Sequence, residues 1–210
     1  NTWILTDLPP GHKPIGLKWV FKLKKDPEGN VVKYKARLVA KGYVQRKGID
    51  CDEVFAPVAR LDTVRLLLAL SAKEGWEVHH LDVKSAFLNG ELQEEVYVTQ
   101  PEGFVKTGQE QKVYKLMKAL YGLRQAPRAW NARLDKCLKE LGFKRCLHEQ
   151  AVYTKFDNGN VLVVGVYVDD LLVTGSNKRE IEEFKLQMSK QFEMSNLGLL
   201  SFYLGIEVRQ

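Results

Sequence analysis

The sequence has no run of about 18 apolar residues, so no helix that spans a bilayer and no membrane partner is predicted. Cysteine is scarce, with 3 residues (Cys51, Cys137 and Cys146) that form no CxxC pair. Such spacing indicates reduced thiols rather than a disulfide framework or a zinc site, and the 4 histidines form no zinc pattern either. Hydrophobic residues make up 45% of the 210 residues and charged residues 28%, which is typical of a globular domain with a sizeable core.

Acidic residues are scarce near the N-terminus, although the whole chain carries a net charge of only +6. Residues 1–50 contain 11 Lys and Arg against 4 Asp and Glu, whereas the rest of the chain contains 21 against 22. The positive excess is therefore confined to the first quarter of the chain. This asymmetry predicts contact with a polyanion there.

The basic region alternates with a period of two residues on both sides of the turn sequence DPEGN (26–30), which predicts a β-hairpin of segments 18–25 and 31–43. One face of this hairpin presents about five cations and the other face is apolar. The cations are drawn from Lys18, Lys22, Lys24, Lys33, Lys35 and Arg37. A ligand-binding surface and a solvated lysine face that protects an edge strand both explain the pattern.

The stretch YVDD (167–170) places Asp169 and Asp170 between two strongly apolar runs. Adjacent carboxylates repel each other and resist desolvation. A solvated turn at the tip of a hairpin is one explanation. The other is a divalent cation with hard oxygen ligands, which requires a third carboxylate and an anionic substrate. Asp82, at the end of a predicted strand, is the candidate third carboxylate, although a helix cap is the commoner role for such a residue.

The order of predicted elements indicates an α+β fold with a β-α-β-β-α-β core, in which two helices cover one face of an antiparallel sheet and the other face is open. Helices are predicted at 62–75, 127–142 and 178–192, strands at 76–83 and 201–208, and hairpins at 151–168 and around YVDD. This split βαβ topology makes Asp82 and Asp169 neighbours, although they lie 87 residues apart in the sequence.

Six segments follow one another over nearly the whole chain. They are KWVFKLKKDPEGNVVKYKARLVAKGYVQ (18–45), FAPVAR (55–60), HHLDVKSAFLNGELQEEVYVTQPEGF (79–104), LYGLRQAPRAW (120–130), YVDDLLVTG (167–175) and FYLGIEV (202–208). In this order they resemble the reverse transcriptase of Ty1/copia-type LTR retrotransposons. The resemblance implies the fingers and palm of a right-handed polymerase, the palm being a ferredoxin-like split β-α-β with an antiparallel sheet.

The resemblance also implies a division of the reverse transcriptase domain, residues 1–210, without the thumb and RNase H regions of the family. Residues 1–75 would be mainly fingers, 76–100 palm, 101–130 shared between fingers and palm, and 131–210 palm that ends at the primer grip. The implied activity is RNA-directed DNA polymerisation, a nucleotidyl transfer from a dNTP to a primer 3′-hydroxyl with two Mg²⁺ ions, or Mn²⁺ in their place.

The implied catalytic residues are the three aspartates, which would balance the metal charges and a polyanionic substrate. Implied metal ligands are Asp82, Val83, Asp169 and Asp170. Implied phosphate-gripping residues are Lys24 and Arg37, with Lys22 and Lys35 as alternatives in a shifted register.

Further roles implied by the resemblance concern the nucleotide and the primer. The backbone amides of Ser85 and Ala86 would face the triphosphate. Phe87 would clash with a ribose 2′-hydroxyl, although a core aromatic explains it equally well. The implied template or nucleotide contacts are Arg124 and Gln125, and the implied primer grip is Tyr203, Leu204 and Gly205, with Tyr203 packed behind the other two.

The partners implied by the resemblance are an RNA template, a DNA or tRNA primer, dNTPs and the rest of the Pol polyprotein, including thumb, RNase H and integrase. The implied location is a cytoplasmic virus-like particle. The main alternative is a catalytically inactive or domesticated fragment that retains the fold and nucleic-acid binding. An unrelated Mg²⁺ phosphohydrolase is a third interpretation, but it does not explain the basic hairpin, Phe87 or FYLG.

Overall fold

The computed structural model describes residues 2–26 and 28–210, so the predicted turn at 26–30 lies partly outside the described residues because it contains Pro27. The described helices are α1 (Leu61–Glu74), α2 (Ala126–Glu140) and α3 (Lys178–Gln191). The described strands are β1 (Trp3–Thr6), β2 (Leu17–Lys25), β3 (Val31–Ala40), β4 (Val78–Val83), β5 (Glu91–Val98), β6 (Val113–Lys118), β7 (Lys144–Arg145), β8 (Val152–Asp157), β9 (Asn160–Tyr167), β10 (Asp170–Gly175), β11 (Met194–Leu199), β12 (Phe202–Tyr203) and β13 (Ile206–Glu207). None of the helices in this part of the chain is long and apolar enough to cross a membrane.

Residues 56–86 and 131–210 form a compact unit around a six-stranded sheet with the order β11-β4-β10-β9-β8-β7. Every strand pair in this sheet is antiparallel. In chain order, α2 lies between β4 and β9, and α3 lies between β10 and β11. The predicted β-α-β-β-α-β order with an antiparallel sheet is present, but its last strand is β11 (Met194–Leu199) rather than the predicted segment 201–208.

Helices α2 and α3 pack on one face of the six-stranded sheet. Tyr153 on β8 donates a hydrogen bond from its hydroxyl to Asp135 on α2, at 3.1 Å. His79 on β4 lies 2.9 Å from the ammonium of Lys185 on α3. The strand register aligns Tyr153 with Val164, Val173 and His79, so Val164 and Val173 belong to the apolar surface beneath the two helices.

The sequence predicted that the opposite face of the sheet is open. In the structure, α1 covers part of that face. A Cβ atom added to Gly165 on β9 would lie 2.6 Å from Leu67 Cδ1, so α1 passes directly over this glycine. The Ser71 hydroxyl on α1 lies 3.0 Å from the Thr174 hydroxyl on β10. Asp82 and Asp170 lie on this same face at the opposite end of β10 from Thr174, and both are only partly buried.

The predicted single strand at 201–208 is instead a tight hairpin of β12 and β13. Leu204 and Gly205 connect the two strands, and both have left-handed backbones, with φ of 47° and 84°. A two-residue turn with positive φ at both positions matches the twist of the flanking strands. Glycine adopts this conformation without steric cost, which explains why the chain reverses here.

Residues 2–55 and 87–130 form the other compact unit, which contains the three-stranded sheet β1-β6-β5 and the hairpin β2-β3. The base of the hairpin is fixed to residues 121–122 by a 2.7 Å hydrogen bond from the Ala40 amide to the Tyr121 carbonyl. A Cβ atom on Gly122 would lie 2.1 Å from the Ala40 carbonyl oxygen, and one on Gly42 would lie 1.9 Å from the Gly122 carbonyl oxygen. Only glycine allows the two backbones to approach this closely.

Candidate active site

Two carboxylates lie directly opposite each other on neighbouring strands of the six-stranded sheet. The antiparallel register of β10 and β4 pairs Asp170 with Asp82, which lie 88 positions apart in the sequence. Directly opposed residues project from the same face of a sheet, with Cβ atoms about 4.5–5.5 Å apart. The amide of Val83 donates a 2.8 Å hydrogen bond to the carbonyl of Asp169, which fixes the neighbouring turn to β4. The structure therefore brings the 169–170 pair to Asp82.

The turn that presents these carboxylates has an unusual backbone. β9 ends at Tyr167 and β10 begins at Asp170, so Val168 and Asp169 form a two-residue connection. Val168 has a φ of 57°, which is the left-handed region that β-branched residues rarely occupy. Such strain costs of order 1–3 kcal/mol and is concentrated at functional sites. This outlier marks the turn as a constrained element rather than an ordinary solvated loop.

Asp170 also accepts a hydrogen bond from His80, whose Nε2 lies 2.7 Å from Asp170 Oδ1. An ionised carboxylate can only accept, so Nε2 carries the proton. His80 lies two residues before Asp82 on β4 and therefore shares its face. The sequence interpretation missed His80. Its position at i−2 from a strand aspartate is the signal that could have identified it.

Tyr203 packs behind this group and is itself buried. Its ring meets the His80 ring edge-on, with centroids 5.3 Å apart, and meets Tyr167 at 6.3 Å. Burial raises the pKa of Tyr203, and the nearby charges of Asp170 and Asp169 act in the same direction. The hydroxyl has no hydrogen-bond partner among the described residues. Tyr203 therefore packs against His80 and Tyr167. Its expected position behind Leu204 and Gly205, and the primer-grip function of that turn, stay predictions.

The donor set at this edge of the sheet is suited to Mg²⁺, although it is not a complete metal cage. Among residues 2–26 and 28–210, no group of three or more His, Cys, Asp or Glu side chains is close enough to hold a metal ion unaided. Protein-bound Mg²⁺ usually keeps several waters and uses one or two carboxylates together with substrate phosphates. Asp82 and Asp170 provide two such carboxylates, and the bond from His80 uses only one oxygen of Asp170.

Ser85 and Ala86 follow β4 in the same unit. Ser85 has a φ of 51°, one of the conformations from which anion-binding backbone nests are built, and Ala86 is buried. This backbone is compatible with the predicted triphosphate contact, which stays a prediction.

In the other unit, the register of β2 and β3 places cations opposite cations. Lys22 is paired with Lys35, and Lys24 with Lys33. Arg37, on the same face, lies over the Tyr121 ring with its Cζ 5.5 Å from the ring centroid. Like charges in directly opposed positions destabilise a strand pair. The predicted cationic face of the hairpin is therefore present, and it places lysines in directly opposed positions.

Phe87 packs against the same Tyr121 ring, with centroids 4.5 Å apart, and is buried. Phe87, Tyr121 and Arg37 thus form a continuous stack within this unit. The burial of Phe87 is consistent with a core aromatic residue. Through Tyr121, Phe87 is also connected to Arg37, which is predicted to bind phosphate. The rejection of ribonucleotides by Phe87 stays a prediction.

Gln125 is 1% exposed, and its side chain is engaged within the protein. Its amide donates to the Asp50 carbonyl at 2.9 Å, and its oxygen accepts from Gln45 at 2.9 Å. The predicted contact of Gln125 with nucleotide or template is not supported by this burial. Arg124 is more accessible, although its guanidinium donates to the Tyr43 carbonyl at 3.3 Å.

These features define an α+β domain with a carboxylate-bearing antiparallel sheet, and the comparison with known families agrees with that class. The chain belongs to the family described as "Reverse transcriptase (RNA-dependent DNA polymerase)", whose family model matches residues 1–210. Within the family, its relatives are Ty1/copia-type and plant retrotransposon Pol polyproteins.

Three relatives illustrate this. The chain is 46% identical over 209 residues to the retrovirus-related Pol polyprotein from transposon TNT 1-94 of Nicotiana tabacum, covering 99% of this chain and 16% of that protein. It is 38% identical over 211 residues to the retrovirus-related Pol polyprotein from transposon RE1 of Arabidopsis thaliana, covering 100% and 14%. It is 28% identical over 205 residues to the transposon Ty1-MR1 Gag-Pol polyprotein of Saccharomyces cerevisiae, covering 93% and 11%. The chain therefore spans about a sixth or less of these relatives' length.

Proposed function

We propose that this chain is the catalytic domain of an RNA-directed DNA polymerase that extends a primer 3′-hydroxyl with dNTPs. The observation that carries the proposal is the direct pairing of Asp82 with Asp170 across β4 and β10. Two opposed carboxylates on rigid strands are unfavourable for stability but suitable for holding divalent cations next to a phosphate substrate.

In this proposal, Asp82, Asp169 and Asp170 hold Mg²⁺, and the backbone of Val83 contributes beside them. Two Mg²⁺ ions bound there would lower the pKa of the primer hydroxyl and stabilise the pyrophosphate leaving group. The protein's part is to fix its ligands. Paired strands immobilise Asp82 and Asp170, and the turn at Val168 is held by the bond between the Val83 amide and the Asp169 carbonyl.

The cationic face of the β2-β3 hairpin would bind the triphosphate of the incoming nucleotide. Lys24 and Arg37 are the proposed contacts, with Lys22 and Lys35 as the adjacent alternatives on the same face. Phosphate oxygens would relieve the repulsion between opposed lysines, and Arg can contact phosphate through two parallel hydrogen bonds.

We also propose that the two compact units are the fingers and the palm of a right-handed polymerase. The unit of residues 2–55 and 87–130 contains the basic hairpin, as fingers would, and the unit of 56–86 and 131–210 contains the carboxylates, as a palm would. In this version α1 belongs with the palm, because residues 61–74 cluster with the six-stranded sheet. The earlier assignment of residues 1–75 mainly to the fingers stays a prediction.

The proposed partners are an RNA template, a DNA or tRNA primer and dNTPs. The relatives are Pol polyproteins, so a larger polyprotein that supplies the remaining domains is the proposed context. Reverse transcription in cytoplasmic virus-like particles is the proposed setting.

Primer extension on an RNA template tests the proposal, with the full-length protein that contains this chain, dNTPs and Mg²⁺. We expect extension by the wild type and its loss in Asp169→Asn. Asp62→Asn is the control, because Asp62 is an exposed carboxylate on α1. Extension by Asp169→Asn at the wild-type rate would contradict the metal-ligand assignment. A folded wild type that binds the primer–template but does not extend it would support the inactive-fragment alternative.

A further inference from the structure

We infer that His80 is a positioning residue for the Asp170 carboxylate, which it holds in a single orientation for metal binding. The inference rests on the proposed function, since it assigns Asp170 to a metal site. His80 lies in a segment that carries the family resemblance, but the resemblance gave it no role. It follows from the register of β4 and β10 and from one short hydrogen bond.

The strand register explains how His80 reaches Asp170. Asp170 is directly opposite Asp82, and His80 is opposite Leu172, so His80 is the diagonal neighbour of Asp170 on the same face. Diagonal neighbours lie about 7–8 Å apart, which is within reach of a long or aromatic side chain. The 2.7 Å separation of Nε2 and Oδ1 is short for a nitrogen–oxygen hydrogen bond, as expected for an ionised acceptor.

His80 is itself held in place, which a positioning residue requires. Its side chain is 15% exposed, and the Tyr203 ring meets it edge-on with an interplanar angle of 86°. Tyr203 in turn packs against Tyr167, the first residue of the YVDD stretch. The order of contacts is therefore Tyr167, Tyr203, His80 and Asp170, with each ring supported by the next.

This arrangement has two consequences for Asp170. The hydrogen bond selects one rotamer of a carboxylate that would otherwise turn away from the like charge of Asp82. It also leaves the second oxygen of Asp170 available to a cation. Groups that orient a metal ligand through a hydrogen bond typically contribute 10–100-fold to metal affinity or activity.

The test compares variants at two adjacent histidines of β4 in the full-length protein. His80→Phe keeps a ring beside Tyr203 but removes the donor. His80→Gln restores a donor near the position of Nε2. His79→Phe is the matched control, because His79 points to the opposite face, where it contacts Lys185 and Glu77. His80→Asn, whose amide is too short to reach Oδ1, repeats the comparison should the Phe variant fold poorly.

Two measurements are made on each variant. Electron paramagnetic resonance titration with Mn²⁺ gives the dissociation constant without any reaction, and an Asp82→Asn/Asp170→Asn double variant serves as the blank for Mn²⁺ bound elsewhere. Primer extension gives the Mg²⁺ concentration for half-maximal rate. We expect both constants to rise about 10-fold or more in His80→Phe and His80→Asn. We expect His80→Gln and His79→Phe to stay close to the wild type.

Two contrary results have different meanings. If the wild type binds more Mn²⁺ than the double-variant blank and His80→Phe binds it as tightly as the wild type, the positioning role of His80 is wrong. The proposed metal site is then retained. Should the wild type bind no more Mn²⁺ than the blank, the proposed metal site is wrong, and the role of His80 is overturned with it.

Discussion

Asp82→Asn should make the metal-free protein more stable, although it removes a residue proposed to be catalytic. Asp82 and Asp170 are directly opposed in the strand register. Two unit charges about 5 Å apart repel each other by about 3 kcal/mol at an effective dielectric constant of 20 and by about 0.8 kcal/mol in water. The Asp170 side chain is 27% exposed and accepts a hydrogen bond from His80, so the repulsion should lie near the lower value. We therefore expect a gain of about 1 kcal/mol.

The substitution preserves the size and shape of the side chain and removes one of the two charges. In EDTA, the free energy of unfolding should rise by about 1 kcal/mol, which corresponds to about 2–4 °C in Tm for a chain of this size. In Mg²⁺ at about ten times the wild-type dissociation constant, the wild type should gain about 1.4 kcal/mol from binding and the variant much less. The order of stabilities should therefore reverse when metal is added.

Urea unfolding followed by tryptophan fluorescence, in EDTA and in Mg²⁺, measures both differences. The control is Asp135→Asn, because Asp135 forms ion pairs with Arg145 and Lys139 and should lose stability in both buffers. A less stable Asp82→Asn protein in EDTA would refute the repulsion argument. An unchanged order of stabilities in Mg²⁺ would refute metal binding at this pair.

Three further predictions address other parts of the chain. Phe87→Val should raise ribonucleotide incorporation relative to dNTPs by about tenfold or more in single-nucleotide extension, and unchanged discrimination would reject the steric role. Tyr153→Phe should lower the free energy of unfolding in urea by about 1–3 kcal/mol, because the buried hydroxyl forms hydrogen bonds with Arg145 and Asp135. Burial also raises the pKa of Tyr153 to about 12. Tyr34→Phe is the control: Tyr34 is 79% exposed, and its replacement should change the free energy of unfolding by no more than about 0.5 kcal/mol. Burial, assisted by the Lys185 ammonium, lowers the pKa of His79 below the unfolded value of about 6.5, so the native protein should lose stability as the pH falls below about 6.5. Between pH 7.5 and 5.5, the free energy of unfolding should fall less in His79→Phe than in the wild type. An equal fall in both proteins would contradict this cause.

The helices and the turns between adjacent strands were predictable because local signals specify them. α3 was expected at 178–192 and is found at Lys178–Gln191, where the Asn177 side chain caps it by accepting a 3.0 Å bond from the Arg179 amide. The Asn158–Gly159 turn between β8 and β9 has φ of 47° and 82°, as the Asn-Gly pair predicts. In each case the residues that determine the structure are close in the sequence.

The features that the sequence interpretation missed depend on contacts between distant segments. The coverage of the second sheet face by α1 follows from Leu67 meeting Gly165, a pair that no local periodicity reveals. The role inferred for His80 depends on the register of β4 and β10, which is set by the packing of the whole sheet. The motif resemblance implied that the aspartates are catalytic residues, but it did not indicate which side chains hold them in position.

Each of the two proposed ligand-binding regions places like charges opposite each other on paired strands, negative charges in one region and positive charges in the other. In the unit of residues 56–86 and 131–210, Asp82 opposes Asp170, and in the unit of residues 2–55 and 87–130, Lys22 opposes Lys35 and Lys24 opposes Lys33. Each pair lowers the stability of its own strands, since like charges at directly opposed positions cost roughly 0.2–1 kcal/mol. A solvated surface could avoid this cost by mixing charges, as the Lys84–Glu193 pair does beside the sheet edge. Unmixed pairs at both places are most simply explained by ligands that restore the balance, cations at the aspartates and phosphates at the lysines. On this argument, Lys33→Glu should stabilise the free hairpin while weakening nucleotide binding, which is the same opposition of stability and function expected for Asp82→Asn.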